Sequence, residues 1–534
     1  MKSQPENGGK TMKRFLALLL CLVSVVACFA GSGCKKGLTD EQKKNALIIE
    51  YYKAGYGEVW IQNLASEFTK RTGQEVVLLP RSGNEGLSSM ETSLESGTSS
   101  TDLFFMASPS FDDVYRGRIE ANGKFYDCWY ADLSDLYNST IDGENITVAD
   151  KMHDTFEQYY KMPNDGKYYS DKYYFFPWVT GMLGIVVNMD VWNTVAQDKE
   201  FPRTTDELLE LCESVKSKKA PFIYSIGDEY WTSIYQLYMA QYEGKARMDK
   251  FYQGYGPNQE DRYDTNMIAY EGLKQSLKFF EQLLKPENGY MHTDSKSLTF
   301  MQMQGSFLNG AALFNVNGDW LEREMITKYP EANIAMMKSP VLSAVADKCS
   351  FKTAENRDQI LRDIIDYVDG KTQTAPTACT PADIEIVREA RCMEYVSGNE
   401  SVAVVPSYAN QIDSAKKFLK FMASDDGMKI FRDGTNGCEL PFNYTTPTTN
   451  PSVTTFRKSI NDALSVSETR FVNAKDKIFS VGGINVYLMN NSIGRFAKAF
   501  TSNTDRKTAE QYFNSEISAV NGMLNEAKRQ AGIL

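Results

Sequence analysis

Two short segments of this 534-residue chain place aromatic side chains beside polar or acidic ones. They are Asp228-Glu229-Tyr230-Trp231 and Asn317-Gly318-Asp319-Trp320. An aromatic ring offers an apolar face, and a neighbouring carboxylate accepts hydrogen bonds from hydroxyl groups. This combination favours binding of a polyhydroxylated ligand such as a sugar.

The residues on which most catalytic and metal centres depend are scarce. Histidine occurs only as His153 and His292, which weighs against zinc centres and against Ser/His or Cys/His catalysis. The chain has no H-E-x-x-H, Walker A, G-x-S-x-G or EF-hand pattern. We therefore expect no enzyme activity, no metal and no cofactor, although any acidic protein can supply the carboxylate pair of a glycoside hydrolase.

The composition is that of a folded, acidic protein. Hydrophobic residues make up 42% of the chain and aromatic residues 12%, which is enough for sizeable cores, and the length allows two or three domains. The formal net charge is −11. A net negative charge repels phosphate backbones, so nucleic acid is not an expected partner.

The N-terminus has the charge order of an export signal. Basic residues at positions 10–14 precede an apolar run at residues 15–30 that is short for a membrane span. Small residues then precede Cys34, in a pattern that resembles the bacterial lipobox, where the cysteine carries a lipid anchor. We expect Cys34 to be lipidated and the protein to be held at the outer face of the bacterial cell membrane. Lipidation of Cys28, a simple signal peptide and a single-pass anchor are the alternatives.

The later cysteines show no C-x-x-C spacing, so a metal or redox site is not expected. Cys212 lies on an apolar helical face and is predicted to be a small core residue. Cys349, Cys379 and Cys392 share one segment and could supply a disulfide, a question that the sequence leaves open.

Alternating strands and helices are predicted to position the aromatic turns. Apolar runs at residues 46–52, 76–79 and 101–106 read as strands, and Trp60, Leu64 and Phe68 form one face of the helix after the first strand. This order predicts a mainly parallel sheet covered on both faces. Ligands bind beyond the carboxyl ends of the strands in such sheets, here near residues 55–57, 81–86 and 108–109.

The same alternation continues along the chain. Thr204 and Glu207 form a predicted capping box at the start of a helix. Strands are predicted at 183–187, 220–225 and 402–405. Residues 343–398 are charged and break the pattern, so we interpret them as an insertion.

These landmarks, in this order, resemble the extracellular solute-binding proteins of the maltose-binding type, family 1. The matching segments are Trp60 to Gly73, the strand at Asp102, Phe176-Pro177 with Gly184 to Asp190, Pro202 to Glu207, Tyr230-Trp231, Phe307 to Trp320, and Ala415 to Leu419. Together they cover most of the chain from Asn45 to Leu534, apart from the predicted insertion.

The resemblance implies an α/β, two-lobed periplasmic-binding-protein-like (type II) fold, in which each lobe is a mainly parallel sheet covered by helices. Ligand binding between the lobes favours the closed state, because only that state offers contacts from both lobes. The membrane permease subunits of an ABC importer would then recognise the closed shape, and we expect a monomer. The implied organisation is a signal peptide at 1–33, a lipidated tether at 34–44, lobe one at 45–180 plus 402–445, and lobe two at 182–400 plus 446–534.

Trp320 occupies the position where the resemblance places a sugar-stacking tryptophan, and its alternative is a core role. The other predicted ligand contacts lie at strand ends, at the crossover or near the C-terminus: Lys53, Tyr56, Ser108, Trp178, Asp228, Tyr230, Trp231, Asn317, Asp319 and Tyr487. Hinge packing is the alternative for Trp178. Met106 and Pro109 stand where maltose-binding proteins have an aromatic and a charged group, which argues against maltodextrin as the ligand.

The predicted function is capture of a carbohydrate, specifically an oligosaccharide, for an ABC importer. Other ligands for such a receptor are a peptide, a polyamine or a charged glycan. A secreted glycoside hydrolase and a glycan-binding adhesin are the alternatives from other classes.

Overall fold

The computed structural model describes residues 39–53, 55–106, 111–164, 166–225, 230–396, 401–446, 453–465, 468–470, 478–479, 484 and 492–533. The chain divides into two compact units, residues 1–44 and 45–534, and the second holds every strand described below. Within the described ranges, no helix is both long enough and apolar enough to span a membrane.

Strands and helices alternate along most of the second unit. The strands are β1 Leu47–Tyr52, β2 Val76–Arg81, β3 Leu103–Met106, β4 Ile119–Ala121, β5 Lys124–Tyr126, β6 Phe176–Pro177, β7 Met182–Asn188, β8 Ala220–Phe222, β9 Ala312–Gly318, β10 Ile334–Met337, β11 Met393–Val396, β12 Val402–Val404 and β13 Glu468–Arg470.

Helices cover the sheets. The α-helices are Asp40–Asn45, Val59–Thr72, Gly83–Glu95, Phe111–Arg116, Ser134–Tyr137, Val148–Lys151, Asp154–Tyr160, Met189–Val195, Thr205–Val215, Tyr230–Glu243, Lys245–Tyr252, Glu271–Leu284, Phe300–Leu308, Leu321–Met325, Arg357–Val368, Pro381–Arg391, Ile412–Ala423, Asp425–Gly434, Thr455–Ser465, Ser492–Thr501 and Ala509–Gln530. Short 3-10 helices lie at Pro286–Asn288, Thr293–Lys296 and Ser343–Lys348.

The first sheet has the strand order β2-β1-β3-β12-β6. Its first three strands are parallel, as predicted, with Leu47 opposite Val76 and Ile49 opposite Leu103. The helix Val59–Thr72 buries its predicted apolar face against this sheet and ends at Gly73, which has a φ of 75°. Only a residue without a side chain adopts that left-handed conformation readily.

The second sheet has the order β13-β11-β7-β9-β8, and β10 also pairs with β7. The expectation of mainly parallel sheets is wrong here, because β9, β10 and β11 all run antiparallel to β7. In the first sheet, β12 is likewise antiparallel to β3 and to β6. These strands pair with partners far away in the sequence, so their direction depends on how the chain crosses between sheets.

The chain passes between the two sheets more than once. β6 belongs to the first sheet and β7 to the second, with only four residues between them. The chain returns to the first sheet between β11 and β12. Each sheet has its own buried hydrophobic cluster. The first-sheet core includes Ile49, Trp60 and Phe105, and the second-sheet core includes Val187, Phe222 and Phe314. The lobe limits given above stay a prediction.

The segment that we interpreted as an insertion is built into the second-sheet core. Val345, Ile364 and Val387 are fully buried there, and β11 lies inside the second sheet. Cys212 is buried in the same core, as predicted. Cys349, Cys379 and Cys392 are all free thiols in the structure.

The predicted capping box at Thr204 is only half formed. The Thr204 hydroxyl accepts a hydrogen bond from the Glu207 amide at 3.2 Å. The Glu207 carboxylate, however, accepts from the amide of Arg203, one residue before the predicted donor, at 2.8 Å. The Arg203 side chain also pairs with this carboxylate at 2.6 Å, which accounts for the shift.

Candidate functional site

Trp320 lies where the second sheet meets the crossover from the first. β9 runs antiparallel to β7, with Gly318 opposite Leu183, so the end of β9 lies beside the start of β7. The amide of Asp319 donates to the carbonyl of Met182 at 2.9 Å and continues this pairing. Because of this antiparallel pairing, the turn that ends in Trp320 lies beside the first residues of β7, where the chain enters the second sheet.

The indole of Trp320 lies flat over the backbone of Gly318. A Cβ atom at position 318 would lie 2.4 Å from Cη2 and from Cζ3 of the Trp320 ring. Real Cβ atoms do not approach a ring this closely, so the position of the indole requires glycine at 318.

Tyr230 completes an aromatic pair with Trp320. The two ring centroids are 5.6 Å apart, and the ring planes meet at 63°, an edge-to-face arrangement. Both side chains are half-buried and pack against the buried Leu183 and Tyr395. The pair therefore keeps apolar ring surface exposed, which is the property that a sugar-binding platform needs.

The first sheet also contributes to the surroundings of Trp320. A Cβ atom at Gly55, in the segment after β1, would lie 2.6 Å from Cβ of Trp320 and 3.1 Å from its carbonyl oxygen. Trp320 packs against the first-sheet core as well. The aromatic pair thus lies at the junction of the two sheets.

Asp319, the neighbour of Trp320, is buried and accepts hydrogen bonds from two side chains. The Tyr56 hydroxyl donates to Asp319 Oδ1 at 2.7 Å, and Arg457 Nη1 donates to Oδ2 at 2.8 Å. Arg457 Nη2 also donates to the Asp319 carbonyl at 2.7 Å. Burial, and next the Asp319 carboxylate, raise the pKa of Tyr56 well above its usual value, so its hydroxyl keeps the proton that it donates.

Three further predicted contacts are buried. Trp178 stacks on Trp60 with centroids 5.0 Å apart and meets the edge of Tyr56 at 5.5 Å. Trp231 packs in the second-sheet core, and Asn317 donates from Nδ2 to Asn315 Oδ1 at 3.0 Å. Their role as ligand contacts stays a prediction.

Of the remaining predicted residues, Lys53 is exposed and the others lie outside the described residues. The ammonium group of Lys53 pairs with Glu58 at 3.1 Å, and its side chain is 46% exposed. Ser108, Asp228 and Tyr487, together with the lipidation candidate Cys34, lie outside the described residues.

Sequence reasoning missed Arg457 and Tyr395. Arg457 belongs to the helix Thr455–Ser465, whose buried residues include Phe456 and Ile460. The position of Arg457 beside these apolar residues was the one feature of the sequence that could have indicated a buried charge. Across the described ranges, no three His, Cys, Asp or Glu side chains gather into a possible metal site.

Comparisons with solved structures identify the shared fold. A chitin oligosaccharide binding protein superposes with a TM-score of 0.56 at 14% identity, over 89% of this chain and 99% of the other. The solute-binding protein RafE in complex with raffinose gives 0.55 at 12%, over 90% and 100%. A manno-oligosaccharide specific solute-binding protein from Bifidobacterium animalis subsp. lactis, in complex with mannotriose, gives 0.54 at 13%, over 92% and 97%.

No curated protein sequence matches the chain. The model of one family, described as bacterial extracellular solute-binding protein, matches residues 54–429. This match spans more than half of the chain and confirms the resemblance drawn from the sequence. The chain belongs to the bacterial extracellular solute-binding protein family.

Proposed function

We propose that this protein is the substrate-binding component of an ABC importer and that its ligand is a carbohydrate. The observation that carries the proposal is the half-buried Trp320–Tyr230 pair at the junction of the two sheets. An exposed aromatic face removes apolar C–H surface of a sugar ring from water, while polar groups nearby bind its hydroxyls. Lobe closure would bring contacts from both sheets onto one ligand.

Three of the solved relatives support a ligand of more than one sugar ring. Their descriptions name a chitin oligosaccharide, raffinose and mannotriose as ligands of those proteins. All three ligands are oligosaccharides, so we propose an oligosaccharide for this chain too.

Within the site, we propose that Trp320 and Tyr230 form the stacking platform. Lys53 and the predicted contacts Ser108, Asp228 and Tyr487 are proposed to bind hydroxyl groups. Carboxylates, hydroxyls and ammonium groups supply the acceptors and donors that sugar hydroxyls need.

The proposed cellular setting is the outer face of the bacterial membrane. A lipid on Cys34 would hold the protein there, and the permease subunits of the importer would be its protein partners. The basic and apolar residues before Cys34 support export.

A thermal-shift screen tests the ligand class directly. The purified protein is mixed with raffinose, mannotriose and chitin oligosaccharides, and with a peptide and a polyamine as probes of the alternatives. A ligand at a hundred times its dissociation constant adds about 2.7 kcal/mol of stability, so binding raises the unfolding temperature. Stabilisation by the polyamine or the peptide alone contradicts the carbohydrate proposal.

Chromatography of the binding sugar after long incubation separates a receptor from a hydrolase. A receptor returns the sugar intact, because it releases what it binds. Catalytic turnover of the sugar by the purified protein would favour a glycoside hydrolase instead.

A further inference from the structure

The contact between Tyr56 and Asp319 joins the two sheets through buried side chains. Tyr56 follows β1 of the first sheet, whereas Asp319 follows β9 of the second. Tyr56 is 3% exposed, and Asp319 and Arg457 are each 2% exposed. The bond between Tyr56 and Asp319 therefore crosses from one sheet to the other without access to bulk water.

Arg457 supports Asp319 from the second sheet. Its helix, Thr455–Ser465, contacts β10, where the amide of Met336 donates to the Ser459 hydroxyl at 2.8 Å. The helix thus holds Arg457 on the second sheet, where its ion pair positions the Asp319 carboxylate toward Tyr56. The Arg457 side chain also lies close to Gly437, beside the first-sheet core. A buried carboxylate without such a partner would be strongly destabilising.

We infer that Tyr56, Asp319 and Arg457 form an interlobe latch that favours the closed state and so sets the affinity for every ligand. The inference rests on the proposed function, because it assumes two lobes that open and close. Opening breaks the bond from the Tyr56 hydroxyl to Asp319, while the ion pair between Asp319 and Arg457 stays intact. Tyr56 and Asp319 then act as positioning residues and do not need to touch the sugar.

A second close contact supports the latch at the same joint. The backbone of Gly55 lies against the Trp320 side chain, at a separation that leaves no room for a methyl group. The latch residue Tyr56 is the next residue after Gly55, and Asp319 is the one before Trp320. Tyr56 and Asp319 of the latch and Trp320 of the proposed sugar platform therefore lie on the same two segments, the one after β1 and the one after β9, where these segments contact each other.

The size of the effect follows from the chemistry of the broken bond. A hydrogen bond to a charged group contributes enough to change an equilibrium constant by about tenfold or more. When closing precedes tight binding, a loss in the closing equilibrium weakens the apparent affinity by the same factor for every ligand. A direct sugar contact behaves differently, since its loss depends on which sugar is bound.

The test compares Tyr56→Phe with a matched control, Tyr130→Phe. The Tyr130 hydroxyl donates to Asp113 Oδ2 at 2.6 Å, so the control removes the same kind of bond. Tyr130 lies in the first-sheet core, and its partner Asp113 is in the same part of the chain, so this bond does not cross between the sheets. A second test variant, Gly55→Ala, places a methyl group against Trp320.

Small-angle X-ray scattering of the full chain without sugar measures the radius of gyration. We expect a larger radius for Tyr56→Phe and for Gly55→Ala than for the wild type, and the wild-type radius for Tyr130→Phe. Equal radii for the wild type and both test variants overturn the latch. Because no sugar is present, this result does not depend on the ligand proposal.

Calorimetry with raffinose, mannotriose and chitin oligosaccharides adds the affinity readout. For each sugar that binds the wild type, we expect Tyr56→Phe to bind more weakly by one common factor of up to about tenfold. Factors that differ between sugars contradict the latch and assign Tyr56 to direct contact. Failure of every sugar to bind the wild type overturns the carbohydrate proposal and leaves the scattering comparison valid.

Discussion

Glu394 offers a quantitative test of the second-sheet core. Its carboxylate is fully buried on β11 and accepts from the Ser339 amide at 2.7 Å and from the Ser339 hydroxyl at 2.5 Å. Burial raises the pKa of Glu394 from its usual 4.5 to about 7, although the bonds from Ser339 and the charges of Arg391 and Lys338 oppose this shift. β11 also carries Tyr395, which packs against the Trp320–Tyr230 pair.

The direction of the pH effect follows from that raised pKa. Below about pH 4.5, Glu394 is protonated in the folded and the unfolded chain, so it does not make stability depend on pH. As the pH rises from about 4.5 to about 7, the unfolded chain ionises first, and the free energy of unfolding falls. With 1.36 kcal/mol for each pKa unit, the loss is on the order of 3 kcal/mol.

Glu394→Gln removes this titration and keeps the shape of the protonated acid. The glutamine oxygen can accept from the Ser339 amide, and its NH2 group can donate to the Ser339 hydroxyl. We expect urea unfolding between pH 4.5 and 8 to show the variant gaining about 3 kcal/mol relative to the wild type. Parallel pH profiles for the two proteins would refute the reasoning. Glu260→Gln, which changes an exposed carboxylate, should follow the wild type.

Three further outcomes are expected. Gly318→Ala should displace the Trp320 ring, whose atoms lie 2.4 Å from the new Cβ position, and should weaken sugar binding in calorimetry while circular dichroism shows normal folding. Asp425→Asn should lower the free energy of unfolding at neutral pH. Burial raises the pKa of Asp425, but hydrogen bonds, led by that from Lys151, outweigh burial and hold this pKa at about 2. The difference in unfolding free energy between variant and wild type should therefore shrink as the pH falls from about 4 to about 2. Cys34→Ser should leave the protein released or unprocessed in a membrane-fractionation assay, and unchanged attachment would move the anchor elsewhere.

Local periodicity was enough to predict β1, β2, β3 and β12 of the first sheet, but not the two-residue strand β6. Trp60, Leu64 and Phe68 share one face because a helix repeats every 3.6 residues, and they are buried as expected. Strand direction was not predictable in the same way. A run of apolar residues such as β12 has the same pattern in either direction, and its partners lie far away in the chain.

In the candidate site, too, local sequence does not predict which distant polar residues pair with each other. Position at a strand end singled out Tyr56 and Asp319, but the bond that joins them spans 263 residues of sequence. No local pattern predicts that pairing, nor does one place Arg457 against Asp319. The resemblance marked Trp320 as a ligand contact, which stays a prediction, whereas the requirement for glycine at 318 follows only from the ring that lies over it.

Calorimetric titration of Trp320→Ala tests the central claim most directly. A platform that buries roughly 60–100 Å² of sugar surface at about 25 cal/mol per Å² contributes on the order of 1.5–2.5 kcal/mol, or tenfold or more in affinity. We predict that loss for the panel sugar that binds the wild type, with near-normal denaturant unfolding of the unliganded variant. Undiminished affinity, or a loss of roughly 3–5 kcal/mol in unfolding free energy, as for a core tryptophan, would contradict the account.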